Sequence, residues 1–277
     1  MSTRFPVLAL FALLICLACG VASAEEPAAG GDLRAAVQNP VGALISVPFK
    51  STWDSGAANG GAYFMNFQPV FPQRVGDWNL IHRMIAPYIS LDGYSPGRPE
   101  LPSPTVGTGA SGLGDINYTM FVSPAVPKGF IWGVGPSITA PSATDAQLGA
   151  GKWAAGPSYV MLGQPGFGTV GFLARQLWSF TGQSNRADTS NFLLEPFINY
   201  NLPNGWYLIS DMVLTANWKA ESGQQWTVPV GAGVGKLFKV GNQAMNTRVE
   251  AYSNIEKPDG APDWTLSWTL QFLFPKK

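Results

Sequence analysis

The sequence predicts an all-β fold: an up-and-down antiparallel transmembrane β-barrel of about 12 strands, with short turns at one end and longer loops at the other. Three observations predict it. Apolar and polar residues alternate with period two through segments roughly twice the mean strand length of soluble proteins. The connections between these segments alternate in length. The chain opens with a secretory leader, and its mature part has no cysteine and few charges.

The leader is "MSTRFPVLALFALLICLACGVASA". Arg4 precedes an apolar run and the small residues Ala22, Ser23 and Ala24, so residues 1–24 are a signal peptide cleaved after Ala24. Lipidation at Cys19 would need an aliphatic residue at the position that Cys16 occupies. Both cysteines lie in the leader, so no disulfide holds the mature domain. Without Arg4 the mature chain carries 16 basic and 17 acidic side chains, a balance that argues against nucleic acid as a partner. Residues 25–42 form an N-terminal segment. In "GGDLRAAVQNP" Asp32 would cap a short helix ending before Pro40, either plugging a lumen or lying free in the periplasm.

The barrel itself would occupy residues 43–277. Its twelve segments are 43–50, 62–71, 78–90, 113–123, 130–140, 153–163, 169–179, 191–202, 206–217, 226–240, 244–256 and 264–274. Most reach the roughly 9–11 residues with which a tilted strand crosses a bilayer. Their glycine, proline, threonine and aromatic content is wrong for helices. "PQRVGD", "PAVPKG", "QPGFG", "PNG" and "GNQ" are the short connections. "STWDSGAANGG", the stretch 91–112, "PSATDAQLGAGK", "FTGQSNRADTS", "WKAESGQQ" and "KPDGAPD" are the long ones. Outer-membrane barrels sort their loops in this way, and an even strand count returns both chain ends to the short-turn, periplasmic side.

The last segment, "WTLSWTLQFLF", sets Trp264, Leu266, Trp268, Leu270, Phe272 and Phe274 against Thr265, Ser267, Thr269 and Gln271. In 244–256, Asn246, Arg248, Glu250, Tyr252 and Asn254 share a face, and in 206–217 Asp211 opposes an apolar face. Apolar faces would meet lipid and polar faces would line the lumen. Asp115, Asn117, Arg175, Glu195, Asn199, Asp211, Arg248 and Glu250 are the candidate pore-lining residues. Counting from the hairpins sets Arg175 opposite Glu195, and Arg248 and Glu250 opposite Gly235 and Gly233. Trp78, Trp153, Trp178, Trp206, Trp218, Trp226 and Trp264 stand at strand ends, where a membrane interface favours the indole ring and its single N–H. Prolines 48, 69, 87, 136, 157, 196 and 229 fall near strand middles and require bulges or breaks, because proline cannot donate to a ladder.

The stretches "QNPVGALISVPF", "GLGDINYTMFVSP", "IWGVGPSITAPSATD", "EPFINYNLPNGWYL", "WTVPVGAGVGKLFKVG" and "PDGAPDWTLSWTLQFLFPK" resemble the bacterial transporter family labelled "MetA-pathway of phenol degradation", some members of which are called neuromedin U. The resemblance spans residues 38–275. It implies an outer-membrane β-barrel of a Gram-negative bacterium, and it brings no active site to carry over. One departure is that Phe274 is followed by Pro-Lys-Lys, where such barrels commonly end on an aromatic residue.

No catalytic constellation stands out. His82 is the single histidine and has no serine beside it, so an outer-membrane hydrolase reading finds no dyad. Nothing in the sequence points to a metal or cofactor, and the glycines of "GVGPSIT" and "GAGVGK" lie inside strands and open no helix. The expected function is a non-enzymatic channel for a small solute, with small organic or aromatic compounds as the class suggested by the family label. The expected partners are outer-membrane lipids, that solute and the outer-membrane assembly machinery. The alternatives are an occluded structural or ligand-binding barrel and, in a different class, a secreted β-sandwich. Twelve strands at ~4.8 Å spacing and ~40° tilt give a backbone diameter of roughly 24 Å, and side chains reduce the free width to about 10 Å or less.

Overall fold

The computed structural model describes residues 33–101 and 107–275. The signal-peptide assignment and the Asp32 cap lie outside the described residues. Fifteen strands follow a short helix, α1 (Leu33–Val37): β1 (Ile45–Ser55), β2 (Ala62–Phe67), β3 (Val70–Val75), β4 (Trp78–Leu91), β5 (Ala110–Leu113), β6 (Ile116–Pro124), β7 (Ile131–Ala140), β8 (Lys152–Gly163), β9 (Gly168–Gly182), β10 (Ser190–Asn201), β11 (Trp206–Asp211), β12 (Leu214–Asn217), β13 (Trp226–Val240), β14 (Gln243–Glu256) and β15 (Trp264–Phe274). Each of β2/β3, β5/β6 and β11/β12 is one stave broken in its middle, so the wall has twelve staves. Every neighbour pair is antiparallel, and β1 closes the barrel on β15 from Ile45 opposite Phe274 to Ser55 opposite Trp264. β1 runs five residues beyond the expected 43–50, because Thr52 and Asp54 continue its inward alternation into what reads as loop in the sequence.

Alternation sorts the two surfaces. Along β15, Thr265, Ser267 and Thr269 are buried inside, while Trp264 and Phe274 stand exposed on the outer surface. A closed sheet leaves no edge to satisfy, which is what makes such a wall compatible with lipid.

The prolines sit where the ladder is interrupted. Pro48 and Pro69 flank one break: Phe49 pairs with Phe67 and Ser46 with Val70, and in the gap the Gln68 N–H donates to Pro48 O at 3.0 Å. The Gly114 N–H donates to Pro87 O at 2.8 Å across the β5/β6 break. The Met212 N–H donates to Pro196 O at 3.3 Å across the β11/β12 break. Pro136 and Pro157 face each other, so neither deprives a partner of a donor. A register shift falls between Val228 and Pro229. Proline is thus placed where no N–H is called for.

Two inward features narrow the lumen. At the short-turn end, residues 33–41 lie inside the barrel. Leu33, Ala36 and Val37 pack on Leu44, Leu237, Ala244 and Leu273, while Val41 is buried among Ile81, Phe121, Val160 and Leu162 on the far wall. At the long-loop end, residues 94–101 of the connection after β4 turn inward. Leu101 packs with Phe64, Ile89 and Leu148, and Arg98 lies over the Phe64 ring at 4.8 Å.

Candidate functional site: a charged lumen

Two cavities lie one above the other in the barrel. The one at the long-loop end has a volume of about 520 Å³, and the one above α1 about 160 Å³. They share Lys50, Gln68, Arg83, Leu173, Glu195, Asp211 and Arg248, which therefore mark the waist between them.

Arg248 is the centre of the waist's ion network. Its Nη2 lies 2.8 Å from Asp211 Oδ2, and its Nε lies 3.1 Å from Glu250 Oε2. The Tyr252 hydroxyl donates to Glu250 Oε1 at 2.7 Å and accepts the Asp211 N–H at 2.8 Å. Arg248 and Glu250 stand opposite Gly235 and Gly233, as the hairpin count predicts. The space at Gly235 is taken by the Tyr207 ring, which a Cβ there would meet. Tyr207 in turn donates to Asn246 Oδ1 at 2.8 Å. The glycine therefore admits an aromatic neighbour rather than freeing the arginine.

Arg175 does not pair with Glu195. Glu195 lies opposite Leu173, and Arg175 opposite Leu193, two residues from the expected register. The shift arises because the sequence count takes no account of the residues that extend the Ser179–Thr189 hairpin. Arg175 instead donates from Nη1 to Asn117 Oδ1 at 2.8 Å, bridging β9 and β6. Asn117 Nδ2 donates to Ser137 Oγ at 3.0 Å and Thr139 Oγ1 at 2.9 Å. Glu195 interacts with Asp211 beside it at the waist. Asn199 is buried at the lower cavity. Asp115 borders the upper cavity, and its carboxylate accepts the N–H groups of Ala143 at 3.1 Å and Ala150 at 2.7 Å, tying the loop after β7 to the β5/β6 break.

Sequence reasoning missed Lys50, Arg83, Asp54, Arg98 and Glu100. Lys50 closes the expected segment 43–50 as its one charged residue, a signal already present there, while Asp54 continues the alternation of β1 and was available had that strand been read to Ser55. Arg83 was hidden because β4 is apolar on both faces: its inward Ile81 and Ile89 pack on the N-terminal segment and the inward loop. Arg98 and Glu100 enter only through the loop. Arg98 Nε lies 3.4 Å from Asp54 Oδ2 and 3.5 Å from Glu100 Oε2, and Asn66 Nδ2 donates to Glu100 Oε1 at 2.7 Å. Burial opposes the charge of Glu100, but Arg98 and the Asn66 amide hold its carboxyl below the usual carboxylate range.

The tryptophans form two belts on the outer surface. Trp78 and Trp206 lie at the short-turn end; Trp153, Trp178, Trp218, Trp226 and Trp264 lie towards the long loops, with Trp218 and Trp226 meeting edge to face at 5.4 Å. His82 also faces outward, its Nδ1 2.6 Å from the Tyr118 hydroxyl. Among the described residues no group of three His, Cys, Asp or Glu side chains is placed to hold a metal ion.

A closed twelve-stave wall, apolar outside and polar within, defines the class: the architecture of a bacterial outer-membrane β-barrel. An outer membrane channel from Pseudomonas putida F1 has a similar fold, with a TM-score of 0.58 and 18% identity over 89% of this chain and 99% of that one. CdiB from Acinetobacter baumannii aligns over 83% of this chain and 60% of its own at a TM-score of 0.40 and 9% identity. A bacterial polysaccharide outer membrane secretin aligns over 84% and 99% at 0.37 and 10% identity. No family model matches the sequence. No curated protein matches it either.

Proposed function

We propose that the chain is an outer-membrane channel that passes a small organic solute and catalyses no reaction. The observation that carries this reading is the pair of cavities stacked inside a closed wall and joined at one charged waist. Such a lumen can discriminate by charge and size at a single level. The leader, the tryptophan belts and the loop sorting support an outer-membrane location after delivery by the assembly machinery, with the long loops outside. The resemblance to the phenol-degradation transporter family supports small organic or aromatic compounds as the solute, with no cofactor.

The N-terminal segment favours a second reading, an occluded barrel. Arg34 Nη1 donates to Leu202 O at 2.8 Å, Gln38 Nε2 donates to Asn201 Oδ1 at 2.9 Å, and Gln164 Nε2 donates to Ala35 O at 2.6 Å, so the segment is fastened across the short-turn end. In the channel reading this segment is a gate that moves. Single-channel conductance in planar bilayers separates the two readings. A channel gives discrete steps that enlarge when residues 33–41 are deleted. A barrel silent both with and without those residues is a binding or structural one.

A further inference from the structure

The waist and the cavity above it hold three cations outside any ion pair. Arg248 is taken up by Asp211 and Glu250. Lys50 and Arg83 at the waist and Arg175 on the upper cavity remain, and among the described residues none of the three forms an ion pair within 4.0 Å. Two carboxylates face them without pairing: Glu195, which shares its surroundings with Asp211, and Glu100, which Arg98 and Asn66 engage. Arg83 and Arg175 are near enough to repel each other. Arg175 uses one N–H on Asn117 and, with five donors on a guanidinium, keeps several for a further acceptor.

The surface around Arg175 is apolar. Leu173 and Leu177 flank it on the same face of β9, and Leu193 stands opposite it on β10; all three are buried and border the upper cavity. Cations beside an apolar wall match a ligand with a charged head and an apolar body. An inorganic anion would leave the leucines unused, and a neutral solute would leave the guanidinium groups facing each other. A carboxylate accepts the paired N–H donors of arginine in a fork that suits its two oxygens.

Building on the channel reading, we propose that Arg83, Arg175 and Lys50 form a selectivity site for a small organic carboxylate, whose apolar part lies on Leu173, Leu177 and Leu193. The test is titration of the full mature barrel in detergent with benzoate, its neutral counterpart benzamide, and inorganic phosphate, followed calorimetrically. Benzoate should bind at least about tenfold more tightly than either, the scale of one charge-assisted contact. Arg175→Gln and Arg83→Gln should each weaken benzoate about tenfold and leave benzamide unchanged. Arg175→Lys should fall between, because it keeps the charge and loses the fork. Equal affinity for benzoate and benzamide overturns the proposal, as does phosphate binding as well as benzoate, absence of benzoate binding, or indifference of benzoate to both glutamine variants in barrels that still shift on unheated gels. Failure of the channel reading shows separately, as absent conductance with benzoate binding intact.

Discussion

Val41 offers a direct way to undock the N-terminal segment. It is only 2% exposed, and its Cγ1 lies 3.1 Å from the position a Cβ would take on Gly133 of the opposite wall. Val41→Asn removes the burial of one aliphatic side chain, about 1.5–3 kcal/mol. It also leaves an amide without partners in an apolar socket, about 1–3 kcal/mol more. At 1.4 kcal/mol per factor of ten, the docked population should fall by roughly two to four orders of magnitude relative to the undocked one. Gly133→Ala reaches the same contact from the wall: its new methyl would crowd Val41 and Val160, so it should loosen docking by a smaller amount with the segment unaltered. The assay is single-channel conductance in planar bilayers, with the mobility shift on unheated gels as the control for a folded barrel. Val41→Asn should give larger steps or a higher open fraction than wild type, approaching the deletion of residues 33–41. If wild type, Val41→Asn and the deletion conduct identically as folded barrels, the segment does not gate the lumen.

Arg248→Ala strands Asp211 and Glu250 in the wall. Breaking a buried pair costs about 3–5 kcal/mol, less here because the guanidinium is 21% exposed to the cavity, so the urea midpoint should fall clearly and part of the loss should return when Asp211→Asn and Glu250→Gln are added; an unchanged midpoint would show that the network does not brace the barrel. Glu100 carries a pH prediction. Its folded carboxyl is held below its ordinary value, so its contribution to anchoring the inward loop is present above the unfolded value of about 4.3 and is lost as pH falls through the lower folded value. Protection from hydrogen exchange in residues 94–101, relative to the intrinsic rate at each pH, should therefore be constant from pH 7 to about 5 and fall below about 4; a fall already at pH 6, or its persistence in Glu100→Gln, would contradict that account. For orientation, cysteine at Asn204, in the short turn after β10, should resist an impermeant reagent on whole cells, and cysteine at Ser103, outside the described residues, should react. The reverse pattern would invert the barrel.

Period-two alternation was enough to specify the twelve staves and their inner and outer faces, because side-chain direction in a strand is a local property. In 244–256 and 264–274 the polar inward set was therefore readable from the sequence, whereas the inward Ala244 and Leu273 show their role only where the N-terminal segment packs on them. The hairpin count also placed Arg248 and Glu250 opposite their glycines, since a two-residue turn at Gly241 fixes register locally. The same count missed Arg175 by two residues, because the longer loop between β9 and β10 leaves the register to the ladder rather than to the turn. The prolines announced irregularity, but their compatibility with a closed wall depends on which neighbouring N–H groups the ladder leaves over, and that is a relation between strands. Long-range contacts decided the rest. Nothing local bends residues 94–101 inward; Arg98 does so by meeting Asp54 on β1. Nothing local carries residues 33–41 across the lumen; Val41 does so by filling a socket built from β4, β6 and β8. The waist took shape only when Lys50, Arg83, Glu195, Asp211 and Arg248, from five different staves, were brought to one level by the closure of β1 on β15.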